Sequence, residues 1–324
     1  MAISSASNIE NGNVFEDLSG TGSTTSDNPY DALIDACGNS PTEIQARYTK
    51  HRETRNGAQR KKFTSERSSV IIDPILYKLV HPEEYPDFAD NRHCLVFWAR
   101  PPSGVRSLIA DIQKQLLTIA PRLWLMPVEC LHMTALEIDF SRTAGEIDEI
   151  VNAMSSRIPE ITDYPLNHRA RLVKPMLSYD TAAIALSFVP AAGESPPDGR
   201  QSSMDDYTYH HLRRDLYGLS RSIGVEVASR YVVPSAHLTV ARFVTPNDIS
   251  ISEKNETPDP LKVQKLLDGI GMINTELQDR SWPKDNQHLK AGGEWIVGQE
   301  KGLDCRKGTL WYGGGETVRL GRGF

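Results

Sequence analysis

"ECLHMTALEI" occupies residues 129–138 and "SAHLTVARF" occupies residues 235–243. Each is an apolar, strand-like run that carries a histidine and, two residues later, a threonine. The pairs are His132 with Thr134 and His237 with Thr239; no other histidine of the chain has threonine at that spacing. In a strand, residues i and i+2 point to the same face. Each run therefore presents an imidazole and a hydroxyl side by side. Met133 and Ala135 lie behind the first pair, and Leu238 and Val240 behind the second.

The surroundings repeat as well. A helical pattern starting near 103 leads to His132, and one starting near 206 leads to His237, at offsets of 29 and 31 residues. A further helical pattern follows each strand. This order predicts an α+β fold built from two copies of one unit: a bilobed, pseudo-twofold body with two antiparallel sheets facing a central cleft and helices outside. Both histidines would then meet in that cleft.

The elements read as follows. "HCLVFWA" (93–99) is rich in strand formers. Val105, Leu108, Ile109, Ile112 and Leu116 fall at helical spacing, and Pro121 ends the run. Thr143 and Glu146 form a capping box for a helix over 143–158, with Ile147, Ile150, Val151, Met154 and Ile158 as its stripe. Residues 169–176 and 181–189 read as a strand pair. Leu212, Leu216, Leu219 and Ile223 mark a helix that Gly224 stops. Residues 258–278 are helical again, and the end of the chain reads as strands joined by glycine-rich turns.

Residues 1–28, rich in Ser, Thr, Asn and Gly, read as a disordered tail. Residues 29–91 read as a helical, partly basic N-terminal extension, and 92–324 as the domain that holds both motifs. The basic stretch at 46–63 suits either an arm over a phosphate-bearing substrate or a solvated helix face. Residues 191–203 read as a loop insertion.

The chain has 324 residues, a net charge of -6 and four scattered cysteines, Cys37, Cys94, Cys130 and Cys305. The charge argues against a surface built wholly for nucleic acid. The cysteines read as reduced thiols of a cytoplasmic protein, with a nuclear setting also open, rather than as a disulfide frame or zinc site. No apolar run is long enough to span a membrane, and the N-terminus lacks the pattern of a secretory signal. The expected state is a monomer.

Two facing imidazole–hydroxyl pairs suit displacement at phosphorus. A neutral histidine takes a proton from water and a protonated one gives a proton to the leaving oxygen. The hydroxyls bond the non-bridging oxygens, where charge gathers. No metal or other cofactor is called for. The competing readings are two structural histidines, or a metal site, for which the motifs lack a third ligand.

The pair of motifs, with "PPSGV" after the first strand and "RLWLMPVECLHMT" ahead of the first histidine, resembles the 2H phosphoesterase superfamily. That superfamily includes RNA 2′-5′ ligase-like proteins and cyclic phosphodiesterases, and the resemblance covers about residues 92–320. It implies His132 and His237 as the acid/base pair, Thr134 and Thr239 as phosphate-binding residues, and a nucleotide or RNA end as substrate. Arg242 stands where that family often has Arg, although strand alternation turns it away from His237. Tyr179, Trp295 and Trp311 are candidates for stacking on a base. The rival expectations are a module that binds an RNA end or nucleotide without turnover, and a paired-histidine enzyme acting on a non-nucleotide small molecule.

Overall fold

The computed structural model describes residues 16–22, 26–65, 69–194, 205–229, 231–252, 255–284 and 291–324. Along the chain, α1 (Asp31–Ala36), α2 (Pro41–Phe63) and α3 (Pro74–Val80) precede β1 (His93–Ala99). Next come α4 (Ser103–Ile119), the short β2 (Trp124–Leu125), β3 (Met133–Arg142), α5 (Ala144–Met154) and α6 (Ile158–Asp163). A strand pair follows, β4 (Arg171–Tyr179) and β5 (Ala183–Pro190), and then α7 (Tyr209–Arg221) and β6 (Ala236–Arg242). The chain closes with β7 (Ser250–Ser252), β8 (Asn255–Pro258), α8 (Pro260–Ser281), β9 (Glu294–Ile296), β10 (Lys301–Gly308) and β11 (Glu316–Arg322).

The fold is α+β with antiparallel sheets. One sheet runs in the order β11-β10-β1-β3 and the other β2-β6-β5-β4-β9, with β7 and β8 paired apart. Each histidine motif thus belongs to a different sheet, and β3 and β6 touch. The apolar stripe of α4 is buried as its spacing predicts: Val105, Ile109, Ile112 and Leu116 are all within 1% of full burial.

The helices cross between the two units. α4, which leads into β3, packs against β6, and α7, which leads toward β6, packs against β3. Each motif strand is therefore backed by the helix of the other unit, which locks the lobes together.

Local chemistry sets the helix ends. Thr143 and Glu146 make the capping box of α5 as expected. That helix stops at Met154, and a turn separates it from α6, where Pro159 sits in the first turn. Gly224 follows α7 at φ +78°, the left-handed conformation that glycine adopts without steric cost.

The N-terminal helices join the main core: Tyr30, Leu33, Ile34, Ile44, Tyr48 and Phe63 are buried in it. α2 lies along β4 and β5. Among the described residues, no helix is long and apolar enough to cross a membrane.

Candidate active site

The first motif is set up by a 3₁₀ turn, Val128–Cys130, just ahead of β3. His132 Nδ1–H donates to the Cys130 carbonyl at 2.7 Å. A carbonyl only accepts, so the Nδ1 proton is fixed and Nε2 carries the lone pair. The ring lies flat on Trp98, with centroids 3.7 Å apart and planes 8° from parallel. The guanidiniums of Arg100 and Arg306 sit 4.7 and 4.8 Å from the same indole. Arg100 also pairs with Asp304 at 2.8 Å and donates to the Glu129 carbonyl at 2.8 Å. It thereby braces the turn that carries the Cys130 carbonyl.

Thr134 lies opposite Trp98, whereas Phe97 lies opposite Leu136, which leaves Ala135 as an extra residue in β3. Such a bulge shifts the alternation by one. The next residue on the cleft face is then Glu137, not Leu136, and Glu137 lines the cleft.

The second motif repeats this device. Thr239 lies opposite Ala185, whereas Ala241 lies opposite Ile184, so Val240 is the extra residue in β6. The bulge corrects the expectation from alternation: Arg242 shares the face of His237 and Thr239 and lines the same cleft. Its Nε is buried without a hydrogen-bond partner among the described residues.

Both bulges are clamped from behind by the crossed helices. Gln113 of α4 donates from Nε2 to the carbonyls of Val240 and Met126, each at 2.9 Å. Arg213 of α7 donates to the carbonyls of Ala135 at 3.4 Å and Val233 at 2.9 Å.

His132, Thr134, His237 and Thr239 come together in one cleft of about 590 Å³, counted with the solvent-open space at its mouth. Trp98, Trp311, Leu310, Met126 and Tyr231 complete its walls. A groove between α4 and α8 is larger, about 820 Å³ on the same count, but no histidine lines it.

The expectation of one neutral and one charged histidine meets a different electrostatic setting. Burial pushes His132 down to about 3, and Arg100, His237 and Arg306 add to that effect against the Cys130 hydrogen bond. Burial also lowers His237 to about 4, with Arg55 and Arg213 assisting and Asp180 opposing. Both imidazoles are therefore neutral at pH 7 in the empty cleft. His237 differs in its support: its Nδ1 lies 3.0 Å from the Ser235 hydroxyl, which can donate or accept.

The other sequence candidates divide. Tyr179 borders a second chamber of the cleft, beside His237. Trp311 lines the first chamber. Trp295 does neither: it is fully buried in β9 and packs edge-on against Phe188, so it is a core residue and not a substrate contact. Most of the basic stretch is structural. Arg52 donates to the Lys174 carbonyl, Arg47 to that of Ser19 and Lys62 to the Thr181 hydroxyl. Only His51 and Arg55 of that stretch reach the cleft. His210 and His211 are buried and held apart, the first by Tyr48 and the Tyr30 carbonyl, the second by Thr208 and Asn39. Among the described residues, no group of three or more His, Cys, Asp and Glu could hold a metal ion. The proposed tail and the 191–203 insertion fall largely outside the described residues.

Sequence reasoning missed Glu137, Trp98, Arg100 and Ser235. Glu137 had a signal, because it stands five residues after His132 as Arg242 does after His237. Trp98 sits in an apolar run that reads as plain core.

No family model matches the chain. No curated protein matches it either. Among solved structures it is similar to the protein TT0787 of Thermus thermophilus, at 15% identity and a TM-score of 0.38, over 71% of this chain and 98% of that one.

Proposed function

We propose that the chain is a phosphodiesterase of the 2H type, acting on a 2′,3′-cyclic phosphate or a related nucleotide or RNA phosphodiester by paired-histidine acid/base catalysis. The observation that carries this reading is the convergence of His132–Thr134 and His237–Thr239, from two different sheets, on one cleft. A cytoplasmic setting fits the four free cysteines.

The geometry supports distinct roles. His132 is the base. Its Nδ1–H is tied to a carbonyl, and two guanidiniums nearby keep Nε2 unprotonated. His237 is the acid: Ser235 can accept from the Nδ1–H of an imidazolium, and Asp180 favours its charge. A bound phosphate anion opposes this lowering and raises both values. Water then gives its proton to His132 as its oxygen bonds to phosphorus. The bond from phosphorus to the leaving ribose oxygen breaks, and His237 gives that oxygen a proton. Thr134, Thr239 and Arg242 hold the non-bridging oxygens.

The neutrality of both histidines favours a second reading, a module that binds a phosphate without turnover. One assay separates the two: hydrolysis of nucleoside 2′,3′-cyclic monophosphates in EDTA by the wild type, His132→Ala and His237→Ala. Turnover lost in both variants supports the enzyme. Full activity in either one overturns the mechanism, and tight binding with no wild-type turnover selects the module.

A further inference from the structure

Arg242, the guanidinium assigned to the phosphate, has no polar partner of its own in the fold. Arg55, the other arginine on the cleft walls, is tied to Asp180 at 2.5 Å. Among the described residues Arg242 makes no ion pair, and its buried Nε has no hydrogen bond. A long charged side chain held by nothing scatters over rotamers, and ordering it on binding costs affinity. Something other than a carboxylate must set its direction.

Aromatic rings supply that support. The Tyr312 ring lies 5.4 Å from the Arg242 guanidinium, within cation–π reach. Trp124 of β2 stands directly across from Arg242, so the two share one face of the sheet. Its indole meets the Tyr312 ring edge-on, with centroids 5.9 Å apart and planes at 88°. The cross-strand neighbour on the other side is Ala183, too small to form a wall. A ring engages the charge and leaves the N–H donors to an incoming anion, whereas a carboxylate would occupy them.

Tyr312 is itself fixed. It sits in the turn between β10 and β11, strands of the other sheet. Gly308, Gly313 and Gly315 shape that turn, at φ of +115°, +103° and +77°. Arg306 Nη2 donates to the Gly314 and Gly315 carbonyls at 3.1 and 2.8 Å. The Cys130 thiol donates to the Gly313 carbonyl at 3.7 Å, and the carbonyl of the same cysteine holds His132. The Tyr312 hydroxyl is buried without a hydrogen-bond partner among the described residues, so the ring carries the contact.

We propose that Tyr312 is a positioning residue: its ring, braced by Trp124, aims the Arg242 guanidinium into the cleft with its donors open to a phosphate. The inference rests on the phosphodiesterase reading for what Arg242 binds, and on the geometry for what holds Arg242.

The test uses the wild type, Tyr312→Phe, Tyr312→Leu, Arg242→Gln and the double variant, each checked for folding by circular dichroism. Tyr312→Met replaces Tyr312→Leu should the latter fail to fold. With adenosine 2′,3′-cyclic monophosphate, Tyr312→Leu should raise KM about tenfold with little change in kcat. Tyr312→Phe keeps the ring and should stay within about twofold of the wild type. On the Arg242→Gln background, Tyr312→Leu should add less than about twofold, because the contact is already gone. A Tyr312→Leu protein with wild-type KM, or a loss that persists undiminished without Arg242, overturns the proposal. A second readout needs no ligand: the heteronuclear NOE of the Arg242 Nε–H, assigned by its absence in Arg242→Gln. It should report a restrained side chain in the wild type and Tyr312→Phe, and a mobile one in Tyr312→Leu. Equal mobility or equal restraint in these proteins overturns the proposal. Should the wild type neither turn over this substrate nor bind inorganic phosphate in calorimetry, the phosphodiesterase reading fails, and the NOE still decides the role of Tyr312.

Discussion

The two motif strands share one plan and differ in what surrounds it. Each has a histidine at or just ahead of its start, a threonine two residues on, a bulge, and a charged residue five positions after the histidine. In β3 the charge is Glu137, and the histidine is pressed on Trp98 and tied to a carbonyl. In β6 the charge is Arg242, and the histidine meets a hydroxyl and, at 6.2 Å, the tilted ring of Tyr231. Duplication supplies matched geometry. Divergence at the surrounding positions underlies the proposed division into a base on one half and an acid and anion holder on the other.

The largest effect should come from removing either histidine. His132→Ala and His237→Ala should each lower kcat/KM by about 10³-fold or more, within the usual range for an acid or base. Steady-state kinetics with a phosphodiester substrate checks this. The charged pair should break the symmetry next. Arg242→Gln removes the cleft guanidinium proposed to hold the phosphate and should cost about 10²-fold, largely in KM. Glu137→Gln should cost less than that. Equal losses would mean that the half-sites are equivalent after all.

A pH profile sharpens the same contrast. The kcat/KM profile reports the free protein. Above the His237 value of about 4, the protonated acid becomes scarcer, so kcat/KM should fall as pH rises through neutrality. Its acid limb, set by His132 at about 3, should lie far to the acid side. The kcat profile reports the complex, and its basic limb should lie at higher pH because the bound phosphate favours the imidazolium. Identical limbs in both profiles would count against the assignment. Stability carries a related sign. His132, His237 and the fully buried His210 are all lowered in the folded state. Below about pH 6.5 the unfolded chain takes up protons that the folded one refuses, so stability falls as pH drops toward 4. Thermal melts at stepped pH should show the fall, and His237→Ala should shrink it.

The sequence made the motif spacing legible because it depends only on the two-residue repeat of a strand. The capping box of α5 was legible for the same reason: Thr143 and Glu146 act within one turn. Arg242 was misplaced because a bulge is invisible to alternation; it depends on Val240 having no partner residue on β5. Trp98 and Trp295 show a second limit. Both sit in apolar strands, yet one backs the His132 ring and the other fills the core, a difference set by which face each strand turns to the cleft. The crossing of α4 and α7 between lobes depends on long-range packing that no local pattern encodes.

The smallest effect, and the most specific, concerns the two clamps behind the bulges. Gln113→Leu keeps the apolar bulk but strips the donor that serves the Val240 and Met126 carbonyls. The Val240 carbonyl keeps the Met126 N–H at 3.0 Å, while the Met126 carbonyl loses its Gln113 donor. The expected loss is about 1–3 kcal/mol of stability, the cost of an orphaned buried acceptor. Arg213→Met should cost more, because Arg213 also donates to the Tyr30 hydroxyl and lies over the Tyr30 ring. The functional consequences should separate by lobe. Loosening Val240 lets β6 return toward simple alternation and turns Arg242 out of the cleft, so Gln113→Leu should raise KM in the manner of Arg242→Gln. Loosening Ala135 disturbs Glu137 instead and should leave KM less changed. Chemical denaturation gives the stability order, and KM measured on the two folded variants gives the lobe order. A Gln113→Leu protein that is destabilised yet keeps its KM would show that the bulge holds Arg242 without help from α4.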